Sequence, residues 1–337
     1  MQTHPPAVHM VQLLSGFQVS QALYVAAKIG IADRLVDGPL TVQQLASDLD
    51  CEPLALSRLL RTLASLGVFT EVRPGRYGST PLGATLVSDG DGSMRDLALS
   101  WMETHYAPFA GLLDTVHSGR PAATEHYGRP FFAWLADHPE QVGRFSRAMA
   151  NLTNGVKTAA IAGYTFSGCR TIVDVGGADG ALLAKILRAT PGAAGTVLDL
   201  PHVVAEALPR LSAHGLGDRL AAIGGDFFEA VPPGADVYLL SMVLHDWNDS
   251  DATRLLANIR AAATPDSRVV ALELVVPVGD EPHMSKMIDL TMLGMVDGRE
   301  RTEAEMRRLF EAAGLAFERV VATPTPVSIV EAGIPVG

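Results

Sequence analysis

Cysteine is scarce in this chain. Its 337 residues include two, Cys51 and Cys169, far apart in sequence. That count excludes a disulfide framework and fits a reducing compartment. Long apolar runs are missing too. The most apolar stretch, Val237 to Leu244, is far too short to span a bilayer. The opening MQTHPPAVHM lacks a basic region followed by an apolar run, so a cytoplasmic protein without a secretory leader is expected. Positive charge is in deficit, 26 Lys and Arg against 37 Asp and Glu, for a formal net charge of -11. A surface of that sign repels phosphate backbones and makes nucleic acid a poor general partner. No internal repeat or low-complexity tract stands out. What the chain does hold is 48% apolar residues, enough for a sizeable core, and a length that suits roughly two domains.

Residues 1–100 read as helices followed by one small hairpin. Val11 to Ile29 carries apolar residues at helical spacing. Thr41 is a plausible N-cap for VQQLASD, and Gly67 a stop for the helix PLALSRLLRTLAS. VFTEVRPGRYGSTP alternates and turns at Pro74-Gly75. Helices and a hairpin in that order form a winged-helix-like domain. Such domains often bind DNA through the last helix, but here that helix offers only Arg58 and Arg61, and residues 1–100 hold seven Lys/Arg against nine Asp/Glu. A DNA reader would show a basic stripe. The apolar face of Val11 to Ala27 suits packing against another subunit better.

Residues 101–165 read as a helical connector rich in aromatics and methionine. Trp101, His105, Phe109 and Met149 are candidates for the wall of a ligand pocket, with plain core packing the simpler alternative. From 166 to 337 the period changes. TIVDV, TVLDL, LAAIGGDFF, DVYLLSMVL and RVVALELVV alternate with helical patterns. The series argues for an α/β fold with a doubly wound, mostly parallel, Rossmann-like sheet. AFERVVAT and VSIVEAG, joined only through Pro324-Thr325-Pro326, suggest an antiparallel pair at the sheet edge.

The chemistry starts at TIVDVGGADGALLAKIL, where a strand ends at Asp174, glycines follow, and a helix begins near Ala181. Glycines admit a ligand close to the backbone, and the helix N-terminus favours negative groups. A nicotinamide-dinucleotide fingerprint needs glycine at the first, third and sixth places. Counted from Gly176 those places hold Gly176, Ala178 and Ala181; counted from Gly177 they hold Gly177, Asp179 and Leu182. Neither register fits, so an NAD-dependent oxidoreductase is excluded. The next strand ends in Asp199, an acid placed to accept both ribose hydroxyls of a nucleoside. The third ends in Gly225-Asp226-Phe227-Phe228, where acid and aromatic together suit an adenine; a helix N-cap is the alternative for Asp226. The fourth leads to His245, at the same edge and suited to proton transfer. Asp249 or Ser250 is expected to cap the helix that follows, so the nearby acids do not imply a metal. Glu273, inside VVALELVV, is an acid in an apolar strand and costly to bury without a partner.

As a set, VDVGGADG, LDLPHV, GGDFFEAVPPGADVYLL, LHDWNDSDATRLLANI and DGRERTEAEMRRLFEAAG resemble the S-adenosylmethionine-dependent small-molecule O-methyltransferases, the plant caffeate and flavonoid enzymes and the bacterial antibiotic-tailoring enzymes. The resemblance covers nearly the whole chain. It implies a dimerisation domain, a class I methyltransferase domain, a homodimer with interlocked N-terminal helices, and S-adenosyl-L-methionine as donor with S-adenosyl-L-homocysteine as product. By the same resemblance Asp174, Gly176 and Gly177 cradle the methionine portion. Asp199 holds the ribose, and Leu200, Gly225, Asp226 and Phe227 surround the adenine. His245 is the general base, flanked by Glu273 and Glu300. Met287, Met292 and Met295 join the pocket candidates. No metal is implied.

Two positions depart from the family. Ala178 stands where glycine is usual, and alanine resists positive φ. Ser241 stands where plant members carry lysine. The acceptor implied is a phenolic hydroxyl of a small secondary metabolite. The alternatives are a relative that binds the cofactor but catalyses hydroxylation or rearrangement, and a winged-helix DNA-binding regulator.

Overall fold

The computed structural model describes residues 5–90, 92–213 and 215–335. Residues 1–4, part of the N-terminus read above as lacking a leader, and His214, at the end of the run VVAEALPRLSAHG, lie outside them. The chain divides into two compact units, Met1–Ala110 with Phe132–Leu152, and Gly111–Phe131 with Thr153–Gly337. Among the described residues no helix is long and apolar enough to cross a membrane.

In the first unit, helices Pro6–Leu14, Gly16–Ile29 and Ile31–Arg34 precede strand β1 (Leu40–Thr41). Helices Val42–Asp48 and Pro53–Ser65 come next, then β2 (Phe69–Arg73) and β3 (Arg76–Ser79). The three strands pair in the order β1-β3-β2. Thr41 caps its helix through a reciprocal capping box with Gln44. The hairpin turns at Pro74-Gly75, with Gly75 at φ +71°. The single helix expected from Val11 to Ile29 is broken at Ser15, whose hydroxyl donates back to the Gln12 carbonyl at 2.9 Å just before Gly16. A serine bonding its own backbone ahead of a glycine is a weak point in a helix. The core gathers Ile31, Leu45, Leu60, Leu63, Phe69 and Tyr77. A π-helical turn, Trp101–His105, follows helix Arg95–Ser100. Glu103 pins it, accepting from Lys28 at 2.6 Å, Tyr24 at 3.2 Å and Arg144.

The second unit is built on β4 (Thr171–Val175), β5 (Ala194–Asp199), β6 (Leu220–Gly224), β7 (Val237–Ser241), β8 (Arg268–Glu273), β9 (Ala316–Val321) and β10 (Ser328–Gly333). Their order is β6-β5-β4-β7-β8-β10-β9. The first five are parallel neighbours, and β10 runs antiparallel to both β8 and β9. Thus β9 forms the edge while β10 lies inside it. Strand alternation feeds both faces. Ile172, Val237, Leu239, Val270 and Leu272 pack with Leu183 and Ile186 on one side. Val173, Val175, Tyr238, Leu240 and Ala271 pack with Leu255, Ile259, Met306 and Phe310 on the other. A sheet buried on both faces explains why its strands read as nearly continuous apolar runs.

Candidate active site

The strand order reverses between β4 and β7. Open α/β sheets bind ligands at the carboxyl ends of strands beside such a reversal. Asp174, Asp199, Asp226 and His245 lie at or just beyond the carboxyl ends of four of these strands. After β4, Gly176 (φ +74°), Ala178 (φ +48°) and Gly180 (φ +68°) coil the chain into helix Ala181–Ala189. A Cβ on Gly177 would lie 2.6 Å from the Asp174 carboxyl carbon, and one on Gly180 2.5 Å from Leu211. The turn therefore has no room for side chains at either place. Ala178 adopts the left-handed backbone that alanine resists, and its amide donates to Asp199 Oδ2 at 2.9 Å. The other oxygen of Asp199 accepts from the Leu200 amide at 2.8 Å.

Asp174 is buried, and its Oδ1 has no hydrogen-bond partner among the described residues. Burial pushes its pKa up to about 7, with Lys157 opposing and Asp199 and Asp179 adding to the rise. Lys157, on helix Pro139–Ile161, donates to the Ser241 carbonyl at 3.2 Å. Burial lowers its pKa against the pull of Asp174, Glu273, Asp179 and Asp246. The Ser241 hydroxyl is buried without a partner among the described residues. The plant-type lysine absent from Ser241 thus has a cation from another element beside the same strand tip. Asp226 accepts from the Phe228 amide at 2.8 Å, so it does cap its own turn. Phe227 packs edge-on against Phe228, and its ring lies within 3.8 Å of where a Gly176 Cβ would stand. Leu200 is 42% exposed, free to lie against a ligand. Gly225 bonds through its amide to the Asp199 carbonyl at 2.9 Å.

His245 sits in a 3₁₀ turn, Leu244–Asp246, just beyond β7. Its Nδ1 is 2.7 Å from Glu300 Oε1, and its Nε2 is 3.6 Å from Asp246 Oδ1. Glu300, which reads from sequence alone as a solvated loop acid, is 3% exposed. Glu273 plays a different part from Glu300. Its Oε1 accepts the amides of Val243 and Leu244 at 3.1 and 2.9 Å, fixing the turn rather than the ring. Burial pushes the Glu273 pKa up to about 7. For His245 burial pushes the pKa down, but Asp246, Glu300 and Glu273 outweigh it and raise it to about 10. His245, Glu273 and Glu300 have potential ligand atoms within 4.8 Å of one another. That closeness is the ring-to-carboxylate hydrogen bond together with the carboxylate that braces the turn. Asn248, not Asp249 or Ser250, caps the following helix, accepting from the Asp251 amide at 3.0 Å. Asp249 instead meets Arg301 at 2.8 Å.

The pocket candidates divide between the units. In the first, Trp101 and His105 lie on the π-turn with rings 6.0 Å apart. His105 Nδ1 is 2.7 Å from the Thr104 hydroxyl, and burial pushes its pKa down to about 4. Phe109 and Met149 are half-buried. In the second unit, helix Met284–Met295 places Met287 68% exposed and leaves Met295 1% exposed, packed as core. Met292 is half-buried. Sequence reading missed Lys157, Asp246, Gly298 and Arg301. The arginine directly after Glu300 in the glycine-flanked GRERT was the one local signal for the last two.

A family model for an O-methyltransferase domain matches residues 109–316, and one for an O-methyltransferase dimerisation domain matches residues 11–89. The chain is 43% identical to the phenazine O-methyltransferase PhzM of Lysobacter antibioticus, over 96% of this chain and 95% of that one. It superposes on the crystal structure of LaPhzM with a TM-score of 0.92 at 42% identity, covering 98% of this chain and 100% of the other. It superposes on CalO1, a methyltransferase in calicheamicin biosynthesis solved in its SAH-bound form, with a TM-score of 0.88 at 35% identity, covering 98% of both chains. The chain belongs to the O-methyltransferase family and carries that family's dimerisation domain in its N-terminal part.

Proposed function

We propose that this protein is an S-adenosyl-L-methionine-dependent O-methyltransferase that methylates a phenolic hydroxyl of a small secondary metabolite, with His245 as general base. The observation that carries the reading is the His245–Glu300 contact of 2.7 Å at the sheet edge that also holds the glycine turn. The residues there suit the cofactor. Asp174 Oδ1 and Ser241 Oγ are buried polar atoms without partners among the described residues, and the glycine turn leaves backbone where side chains would block approach. Asp174, Gly176 and Gly177 would hold the methionine portion, Asp199 the ribose, and Leu200, Gly225, Asp226, Phe227 and Ser241 the adenine end. When bound, the cofactor supplies a methyl group made electrophilic by its sulfonium.

The remaining chemistry belongs to the chain. In the neutral ring, with Nδ1–H donating to Glu300, Nε2 is the atom left to take the acceptor's proton. Glu300 steadies the imidazolium that results. A phenol titrates near about 10. The surrounding acids push His245 up to about 10, so it is a strong proton acceptor, and the neutral ring that acts as base is the minor form below that pH. Proton removal of this kind contributes roughly 100- to 10,000-fold, with orientation of the acceptor supplying much of the rest. Trp101, His105, Phe109, Met149, Met287 and Met292 are the residues we assign to acceptor selection. A non-methylating reaction is less well supported, because a histidine paired with a carboxylate suits proton removal from a methyl acceptor.

The N-terminal helix Pro6–Leu14 buries nothing within its own chain, and Val8, Met10, Val11, Leu13, Leu14 and Phe17 are exposed. A homodimer through this face completes the reading. Incubating the purified protein with S-adenosyl-L-methionine and a panel of phenolic phenazines and benzoates, with product mass as readout, tests it. Methylation lost in His245→Ala is expected. Failure to bind S-adenosyl-L-homocysteine by calorimetry would overturn the cofactor assignment. Undiminished methylation in His245→Ala would overturn the base.

A further inference from the structure

A fully buried guanidinium stands directly behind the proposed base. Arg301 has no exposed surface. It donates from one terminal nitrogen to the Leu244 carbonyl at 2.8 Å and the Arg299 carbonyl at 3.3 Å. From the other it donates to the Trp247 carbonyl at 2.8 Å, and its Nε reaches Asp249 Oδ1 at 2.9 Å. Leu244 and Trp247 bracket the pair His245-Asp246, so the arginine grips the turn on both sides of the base. Its own carbonyl accepts from the Val276 amide at 2.9 Å, tying it to the segment after β8. Gly298 closes the same contact from its own place in the loop. A Cβ there would lie 2.0 Å from the His245 carbonyl oxygen. Glu300, one residue before the arginine, is held at its amide by Asp289 at 2.9 Å. A buried charge is costly unless every donor is used. Here the donors are spent on the carbonyls at the two ends of the 244–247 turn, on the Arg299 carbonyl and on the Asp249 carboxylate.

We infer that Arg301, backed by Gly298, is a positioning residue that sets the register between the 244–247 turn and Glu300, and hence the orientation of the His245 ring. This rests on the reading of His245 as base. Outer groups that orient a functional histidine matter nearly as much as its direct partners. A displacement of about 1 Å is enough to lower a rate roughly 100-fold.

The test compares Arg301→Gln, Asp249→Asn and His245→Ala in the full chain, using histidine-labelled NMR without ligand and calorimetry with S-adenosyl-L-homocysteine. His245→Ala assigns the His245 signals. We expect Arg301→Gln to displace or abolish the His245 Nδ1–H resonance and lower its titration midpoint. Binding of S-adenosyl-L-homocysteine should stay within about twofold, and kcat on an accepted phenol should fall about 100-fold with KM little changed. Asp249 is 60% exposed, so Asp249→Asn loosens the arginine without emptying a buried site and decides the matter if Arg301→Gln does not fold. It should shift the same resonance in the same direction. An unchanged His245 resonance and titration in the folded variants overturns the inference. A shifted resonance together with full methylation by His245→Ala would retain the positioning role and remove the base.

Discussion

The Ala178 amide reaches Asp199 Oδ2 at 2.9 Å from a backbone with φ of +48°. The contact joins the glycine turn to the tip of β5, and alanine is strained to make it.

Ala178→Gly should therefore stabilise the protein. The left-handed conformation costs alanine about 1–2 kcal/mol, and the added freedom of glycine in the unfolded chain costs about 0.4–1 kcal/mol. The Ala178 side chain is exposed, so little packing is lost. A gain of about 0.5–1 kcal/mol in urea denaturation is expected. A loss of that size would mean that the methyl makes contacts worth more than its strain.

Glu300→Gln should alter the pH dependence of catalysis. With Asp246, Glu300 and Glu273 around it, free His245 holds its proton up to about 10. The limb of kcat/KM that rises with pH should move to lower pH by more than about one unit when the Glu300 charge is removed. A weaker base should also lower the plateau rate by about tenfold or more. An unmoved limb would separate Glu300 from the base.

Asp174 links stability to pH. Its pKa rises from 3.8 unfolded to about 7 folded, because burial disfavours the charge. A raised folded pKa contributes stability that is fully present below the unfolded value and lost as the pH climbs through the folded one. Thermal stability should decline between pH 4 and 7, and Asp174→Asn should flatten that decline. The same variant should bind S-adenosyl-L-homocysteine about 30-fold more weakly, since a hydrogen bond to a charged group contributes about 1.5–3 kcal/mol. A decline that persists unchanged in the variant would assign it to another group.

Leu14→Asp combined with Val11→Asp should yield a monomer by light scattering, where the parent is expected to be a dimer. Both side chains are more than half exposed in the single chain. Burying carboxylates in an apolar interface is strongly unfavourable. A variant that remains dimeric would move the interface elsewhere.

Much of this was legible in the sequence. The strands β4, β5, β7 and β8 announced themselves as short apolar runs because both faces of the sheet are covered. Thr41 and the Pro74-Gly75 turn were legible because capping and tight turns are local chemistry. The break at Ser15 was hidden because apolar periodicity continues through it. Asn248 as the cap was missed because four polar residues in a row compete for one position, and tertiary contact with Arg301 claims Asp249. The division of labour between Glu273 and Glu300 was invisible, since each meets its partner across some 30 to 55 positions. Arg301 is the extreme case. Arginine in a polar loop reads as solvated, and only the folded chain gives it carbonyls to hold.

The placement of β10 has a bearing on biogenesis. This strand, near the end of the chain, supplies the neighbour of β8, whose last residue is Glu273. While the polypeptide is still emerging, VVALE has a partner on one side and open hydrogen-bonding groups on the other. Such edges invite pairing with other chains. The strand that carries the Glu273 brace thus keeps an open edge until β10 pairs with it.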